Sequence, residues 1–342
     1  MTTDGGPARL RVRWLAAGMA AVVVAAVAGL ALGAVQLDPL GVLAELLNLI
    51  PGVHLHSGLT EREAAIVTEL RLPRVTLGLL VGATLALAGG CYQGVFRNPL
   101  ADPYLLGVAA GAGLGATIAI ALRGTAFGFA VPAAAFVGAL LAVGMAYVLG
   151  GVYRTPATLI LAGVAVASFL TAIQTVVQQR NADTLREVYS WILGQLATGG
   201  WRDVLIVLPY TVIAGALILV RGRVLDVLAV GDEEAASLGV NPKVTRYTLV
   251  VAASLATAAA VAVSGLIAFV GIIVPHAIRL VAGTSYRGLL PLSFVVGAGF
   301  LILADVVART ALAPAEVPIG VITALFGAPF FAFVLRTRGG RA

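Results

Sequence analysis

Few residues in this chain could do chemistry. Its 342 residues include one lysine, Lys243, one cysteine, Cys91, and three histidines, His54, His56 and His276. Lys243 sits in VNPKV, so the lysine of a phosphate-cradling GxxxxGK[ST] loop has no counterpart, and the chain is not expected to hydrolyse ATP by itself. His54 and His56 could contact a metal ion, but two histidines two residues apart with no third ligand read as a solvated loop; no metal is expected. Cys91 has no disulfide partner and reads as a small apolar packing group. The long apolar runs hold no nucleophile beside a base and no carboxylate pair, which speaks against a membrane enzyme. Their middles are free of charge, which weakens the rival reading of a proton-coupled secondary transporter.

One charged stretch does suggest a task. LAVGDEEAASLGVNPKVTR, Leu228 to Arg246, places three consecutive acids and the sole lysine between two apolar runs. Gly231 breaks the preceding run, Asp232 suits an N-cap, Glu233 and Glu234 suit the positive end of a helix, and Gly239 followed by VNP ends it. The pattern predicts a short helix of about two turns over Asp232 to Leu238. Such an insert is either a self-capping solvated loop or a rigid handle on which a cytoplasmic motor subunit pushes.

The elements that must position this stretch are apolar. Hydrophobic residues make up 60% of the chain and charged ones 11%. With a mean hydropathy of +1.02, the main solvent of such a chain is lipid, and a polytopic all-α membrane protein is expected. Runs long enough to cross a bilayer extend over Trp14 to Val35, Val75 to Phe96, Tyr104 to Leu122, Ala126 to Val152, Pro156 to Val177, Val204 to Val220, Tyr247 to Val274, Leu289 to Ala304 and Val317 to Leu335. The segment PHAIRLVAGTSYRG after Val274 decides between nine spans and ten. Ten spans with both termini inside put 14 of the 22 basic residues but only 6 of the 16 acids on the inside, so the sides carry +8 and −2. Nine would leave the basic carboxyl end outside, so ten is the expected count. No interleaving of basic and aromatic residues suggests a nucleic-acid partner. Gly107, Gly111 and Gly115, four apart, and Gly82, Gly89 and Gly90 predict close helix packing, because small residues let helices approach where lipid gives no hydrophobic drive.

Four segments carry a family resemblance: RLPRVTLGLLVGATLALAGGCYQGVFRNPLADPYLLGVAAGAGLGA, LAVGDEEAASLGV, GLIAFVGIIVPHAIRLVAG and LPLSFVVGAGFLILADVVARTALAPAEVPIGVITALFGAPFFAFVL. In this order, from about Arg71 to Leu335, the chain closely resembles the FecCD family, the permease subunits of ABC importers for iron-siderophores, haem and vitamin B12. The resemblance implies the type II importer permease fold of about ten helices, with residues 1–342 as one transmembrane domain and a cytoplasmic coupling loop near 221–246. It further implies a homodimer or paired permease with the path at the interface, two separate ATPase chains that hold ATP and magnesium, and an extracytoplasmic binding protein, all at the plasma membrane of a bacterium or archaeon. An Fe(III)-siderophore is the expected cargo, with cobalamin and haem as alternatives. By resemblance, Gly231, Asp232, Glu233, Glu234, Ala235, Ala236, Ser237, Leu238 and Gly239 match the coupling helices that dock on the ATPase. Thr155, Pro156, Ala157 and Thr158 match the cytoplasmic gate. Arg71, Arg74 and Arg309 match arginines that face acidic residues of the binding protein.

Overall fold

The computed structural model describes residues 12–33, 35–123, 129–151, 155–196 and 200–339. Ten helices run through the apolar body: α1 (Val12–Ala31), α2 (Leu72–Val95), α3 (Val108–Arg123), α4 (Ala130–Gly150), α5 (Pro156–Arg180), α6 (Trp201–Val220), α7 (Pro242–Ser264), α8 (Val270–Ala282), α9 (Tyr286–Thr310) and α10 (Ile319–Gly339). Among the described residues, seven helical segments are long and apolar enough to cross a membrane, and α3, α8, α10 and a helix Pro39–Asn48 supply shorter apolar stretches. The all-helical expectation holds.

The run Tyr247 to Val274, read above as one span, is two helices. Gly265 ends α7 with φ +68, and α8 restarts after Phe269. PHAIRLVA therefore belongs to a helix of its own, α8, whose first residues, Val270 to Val274, form the end of that apolar run. An unbroken apolar pattern hides a glycine break, because hydropathy reports solvent and not backbone direction.

α2 is the axis of the bundle and is buried from Val81 to Val95. It packs against α6, α7, α8 and α9, while α3, α4 and α5 form a neighbouring group and α1 lies along α9. Glycine permits the closest of these approaches. A Cβ on Gly82 would strike the Gly297 carbonyl, one on Gly89 the Gly271 backbone, and one on Gly111 or Gly115 the carbonyls of Gly138 or Ala134 on α4. Gly107, expected on the same face as Gly111 and Gly115, instead lies before α3 with φ +81, where it closes the 3-10 turn Pro103–Leu106.

α2 is preceded without a break by Glu61–Ala65 and by a π-helical stretch, Ile66–Arg71. The combined 35-residue helix, at 1.5 Å per residue, is longer than a hydrocarbon core about 30 Å thick, so its start projects from the membrane. The cause of the π turn is Pro73, which lacks the N–H that would bond the Glu69 carbonyl and whose ring crowds it. The Leu72 N–H then donates to the Val67 carbonyl, five residues back.

Candidate functional site

Chemistry-bearing side chains gather at the two ends of the bundle. At the end where α2 and α9 meet the charged insert, a helix Gly222–Val230 leads through Gly231 into the short helix Asp232–Ser237. The N-cap is Gly231, not Asp232 as the sequence suggested, and it makes no side-chain cap bond. Asp232 opens the first turn and its carboxylate is used elsewhere. Arg246, on the first turns of α7, donates to it from both terminal nitrogens at 2.7 and 2.5 Å, and Arg97 after α2 approaches at 3.3 Å. Arg246 also donates to the Val95 carbonyl at 3.3 Å, so one guanidinium ties the insert to the end of α2. The hydrogen bonds from Arg246 hold the Asp232 carboxyl below the usual carboxylate range, against a smaller opposing effect of burial.

The helix ends at Ser237, one residue before the expected Leu238, and its stop is the expected glycine. Val240 donates to the Ala235 carbonyl at 2.9 Å and Gly239 to that of Ala236 at 3.0 Å, with Gly239 at φ +81, which is the Schellman arrangement. Asn241 then caps α7 by accepting from Lys243 and Val244, with Pro242 at its first position. One face is fixed, since Ala235 is fully buried. The other is open: Glu233, Glu234, Ala236, Ser237 and Leu238 are exposed, and Leu238 is 67% so. Asp226 on the preceding helix caps α9, accepting from Ser285 Oγ at 2.8 Å and the Tyr286 amide at 2.6 Å. Sequence inspection missed that role, because Asp226 and Ser285 are 59 residues apart.

The segment Thr155 to Thr158, expected above to match a gate, shares this end, as the contact of Tyr147 with Tyr247, 5.7 Å between ring centres, locates the end of α4 beside the start of α7. Thr155 caps α5 by accepting from the Thr158 amide at 3.4 Å. Thr155 and Ala157 are exposed and Thr158 is half-buried, while the side chain of Pro156 lies outside the described residues.

The opposite end holds Arg71, Arg74 and Arg309 together around a cavity of about 350 Å³, with Gly33, Glu69 and Glu316 also in its wall. These arginines are internally engaged. Arg71 donates to the carbonyls of Leu30 and Ala31 at 2.6 and 2.8 Å and to that of Val35. Arg309 donates to Gly29 and Leu32 and pairs with Asp305 at 3.0 Å. Two guanidinium groups from α9 and the start of α2 thus satisfy the last carbonyls of α1, which a helix terminus otherwise leaves open. Arg74 bridges Asp305 at 2.8 Å and Glu316 at 2.9 Å. Asp305, only 3% exposed, is the shared acid of the cluster and was not singled out in the sequence.

His54 and His56 are exposed, and His276 is buried on α8, edge-on to Phe330 at 6.0 Å. No group of three or more potential metal ligands occurs among the described residues. Cys91 is buried, with its sulfur 3.9 Å from the Leu249 carbonyl, in keeping with a packing role.

The model of the FecCD transport family matches residues 21–337. The chain is 42% identical to the cobalamin import system permease protein of Halobacterium salinarum over 84% of its length and 78% of that protein. It is 38% identical to an Fe(3+)-citrate import system permease protein of Bacillus subtilis over 80% and 82%. Among solved structures it superposes on a chain described as an inward-facing conformation of a metal-chelate type ABC transporter with a TM-score of 0.84 and 28% identity, covering 96% of this chain and all of the other.

Proposed function

The chain belongs to the FecCD transport family and is a multi-pass permease subunit of an ABC importer, and from that premise we propose how its two ends serve transport. The observation that carries the proposal is the short helix Asp232–Ser237. It is anchored on one side by Ala235 and the Arg246 pair and open on the other. A separate ATPase, binding ATP and magnesium, pushes on the open face, Glu233, Glu234, Ala236, Ser237 and Leu238. The anchored face passes the displacement through Arg246 to α2 and α7. Thr155 to Thr158 form the gate at the same end. ATP binding shifts the balance between inward-open and outward-open states by stabilising one of them, since a ligand biases an equilibrium only through differential affinity. Two ATPase chains and a second permease complete the transporter, in a plasma membrane with both termini cytoplasmic.

At the outer end a binding protein delivers the cargo. Arg71 and Arg309 are committed to α1 and Asp305, so Arg74 is the member of the set best placed for docking. An incoming carboxylate would compete with Glu316, which is 48% exposed, for that guanidinium. The cargo is a metal chelate. Fe(III)-siderophore and cobalamin both remain in view, and the higher identity to the cobalamin permease favours the corrinoid as a second reading. ATP-dependent accumulation in proteoliposomes that contain the permease, its ATPase and its binding protein, measured with radiolabelled cobalamin and with ⁵⁵Fe-siderophores, tests both. Accumulation driven by a proton gradient without ATP would overturn the importer reading. Cysteines placed singly at Glu61 and Glu234 should react with an impermeant thiol reagent from outside and inside respectively, and the reverse pattern would overturn the orientation.

A further inference from the structure

The segment between α1 and α2 contains a ten-residue helix, Pro39–Asn48, that the transport reading does not use. Asp38 caps it by accepting from the Gly41 amide at 2.8 Å, with Pro39 at its first position. Its inner side is fixed. Val42 is buried with Leu30, Leu37, Val67, Val75 and Val306, and Leu46 packs against the same group. Gly41 lets residues 57–59 cross close by, since a Cβ there would stand 2.6 Å from the Ser57 carbonyl. Asn48 clamps the far end of the loop through both the amide and the carbonyl of Leu55, at 2.7 and 3.0 Å.

With that side fixed, the outer side carries Leu40, Leu43, Leu47 and, just past the end, Ile50, at spacings of three, four and three. This is one helical stripe. Its members are 75%, 45%, 38% and 51% exposed, with Leu49 beside them at 56%. The stripe follows in sequence the exposed apolar side chains of α1, a helix long and apolar enough to cross a membrane. Met19, Val23 and Val24 of α1 are exposed, as are Leu32 and Val35 at its outer end, directly before the helix. The shared cluster with Leu30 and Val306 sets the helix level with the last turns of α1 and α9, at the edge of the hydrocarbon core.

We propose that Pro39–Asn48 is an interfacial anchor whose Leu40–Leu43–Leu47–Ile50 stripe lies in the outer leaflet, at the boundary of acyl chains and headgroups. The helix contains no Lys or Arg and one acid, Glu45. Its hold on the membrane is therefore apolar and independent of anionic lipid, unlike that of a basic amphipathic helix. It fixes the height of the 49–60 loop, and with it the projecting start of the α2 helix, relative to the bilayer surface.

The test is made on the full-length permease with Cys91→Ala removing the native thiol. An environment-sensitive fluorophore is placed at Leu43→Cys, and separately at Leu40→Cys and Leu47→Cys, with Glu61→Cys as a water-facing control. In phosphatidylcholine vesicles, with no other protein present, the three stripe sites should emit blue-shifted light and lose emission when shallow-chain spin-labelled phosphatidylcholine is included, and the control should do neither. Adding phosphatidylglycerol should leave the quenching unchanged. Water-like emission at all three sites would overturn the proposal. So would shielding that needs the binding protein and shows no lipid quenching, which would make the stripe a protein-docking face. A dependence of the quenching on anionic lipid would overturn the apolar mode of attachment.

Discussion

The two ends of this bundle both show clustered charge between apolar runs in sequence, yet they spend it in opposite ways. At the end that carries the short helix, Asp232 is held by Arg246 and Arg97 while its side chain is 42% exposed, and its neighbours Glu233 and Glu234 are exposed. At the opposite end Arg71 and Arg309 are each only 6% exposed and bound to the end of α1. Exposure decides the energetics. A solvated pair is worth about 0–1 kcal/mol and can be rearranged, whereas breaking a buried one strands a charge at about 3–5 kcal/mol. The Asp232 cluster suits a surface that another subunit moves, and the Arg71–Arg309 cluster suits a brace.

The sharpest break of this contrast is Arg309→Ala. It removes the donors to Gly29 and Leu32 and leaves the buried Asp305 with Arg74 alone. A loss of about 3–5 kcal/mol is expected, read as a large fall in the thermal unfolding temperature in detergent. Glu316→Gln, at the exposed rim of the same cluster, should change it by about 1 kcal/mol or less. Equal effects would mean that burial does not separate the brace from its rim.

Packing sets the next effect. Because Gly89 lies against the Gly271 backbone, Gly89→Val forces α2 and α8 apart, with an expected cost of about 1–3 kcal/mol or more. At the short helix the same logic separates two positions three apart. Ala235→Arg would overfill a buried site and lower stability, but Leu238→Arg should leave the unfolding temperature unchanged and abolish ATP-driven uptake. If Leu238→Arg transported normally, the exposed face would not be where the ATPase pushes.

Much of this organisation was legible in the sequence because it follows from solvent and local geometry. Apolar runs marked most of the helices, and Gly239 followed by VNP marked the stop of the short helix. What was not legible needs partners distant in sequence. Asp232 looked like a cap, since its acceptor role was visible and Arg246 across the helix was not. Arg71 and Arg309 looked like surface charges because the carbonyls they satisfy, about 40 and 280 residues away, leave no side-chain signature. The stripe at Leu40, Leu43 and Leu47 lay in a segment too short to read as a span, and its direction emerged only once Val42 was seen to be buried.

The smallest expected effect concerns the strength of the Asp232–Arg246 tie itself. Asp232 has a lowered carboxyl pKa in the folded protein, mainly from hydrogen bonds donated by Arg246. A group with a lowered folded pKa contributes fully above its unfolded value, about 3.9 for Asp, and loses that contribution as pH falls through the folded value. The tie should therefore be indifferent to pH from 7 down to about 4 and weaken only below that. Its exposure and screening by salt keep the change within about 1 kcal/mol. A spin label at Ser237→Cys, in the Cys91→Ala background, reports it as mobility of the short helix. Mobility should stay constant to about pH 4 and rise below, while Asp232→Asn should be mobile throughout. High salt at neutral pH should loosen the helix in part, because solvent reaches the pair, whereas a label beside Arg309 should not respond. A rise in mobility beginning near neutral pH would show that some other group anchors the handle, and the route from Asp232 through Arg246 to α2 would have to be abandoned.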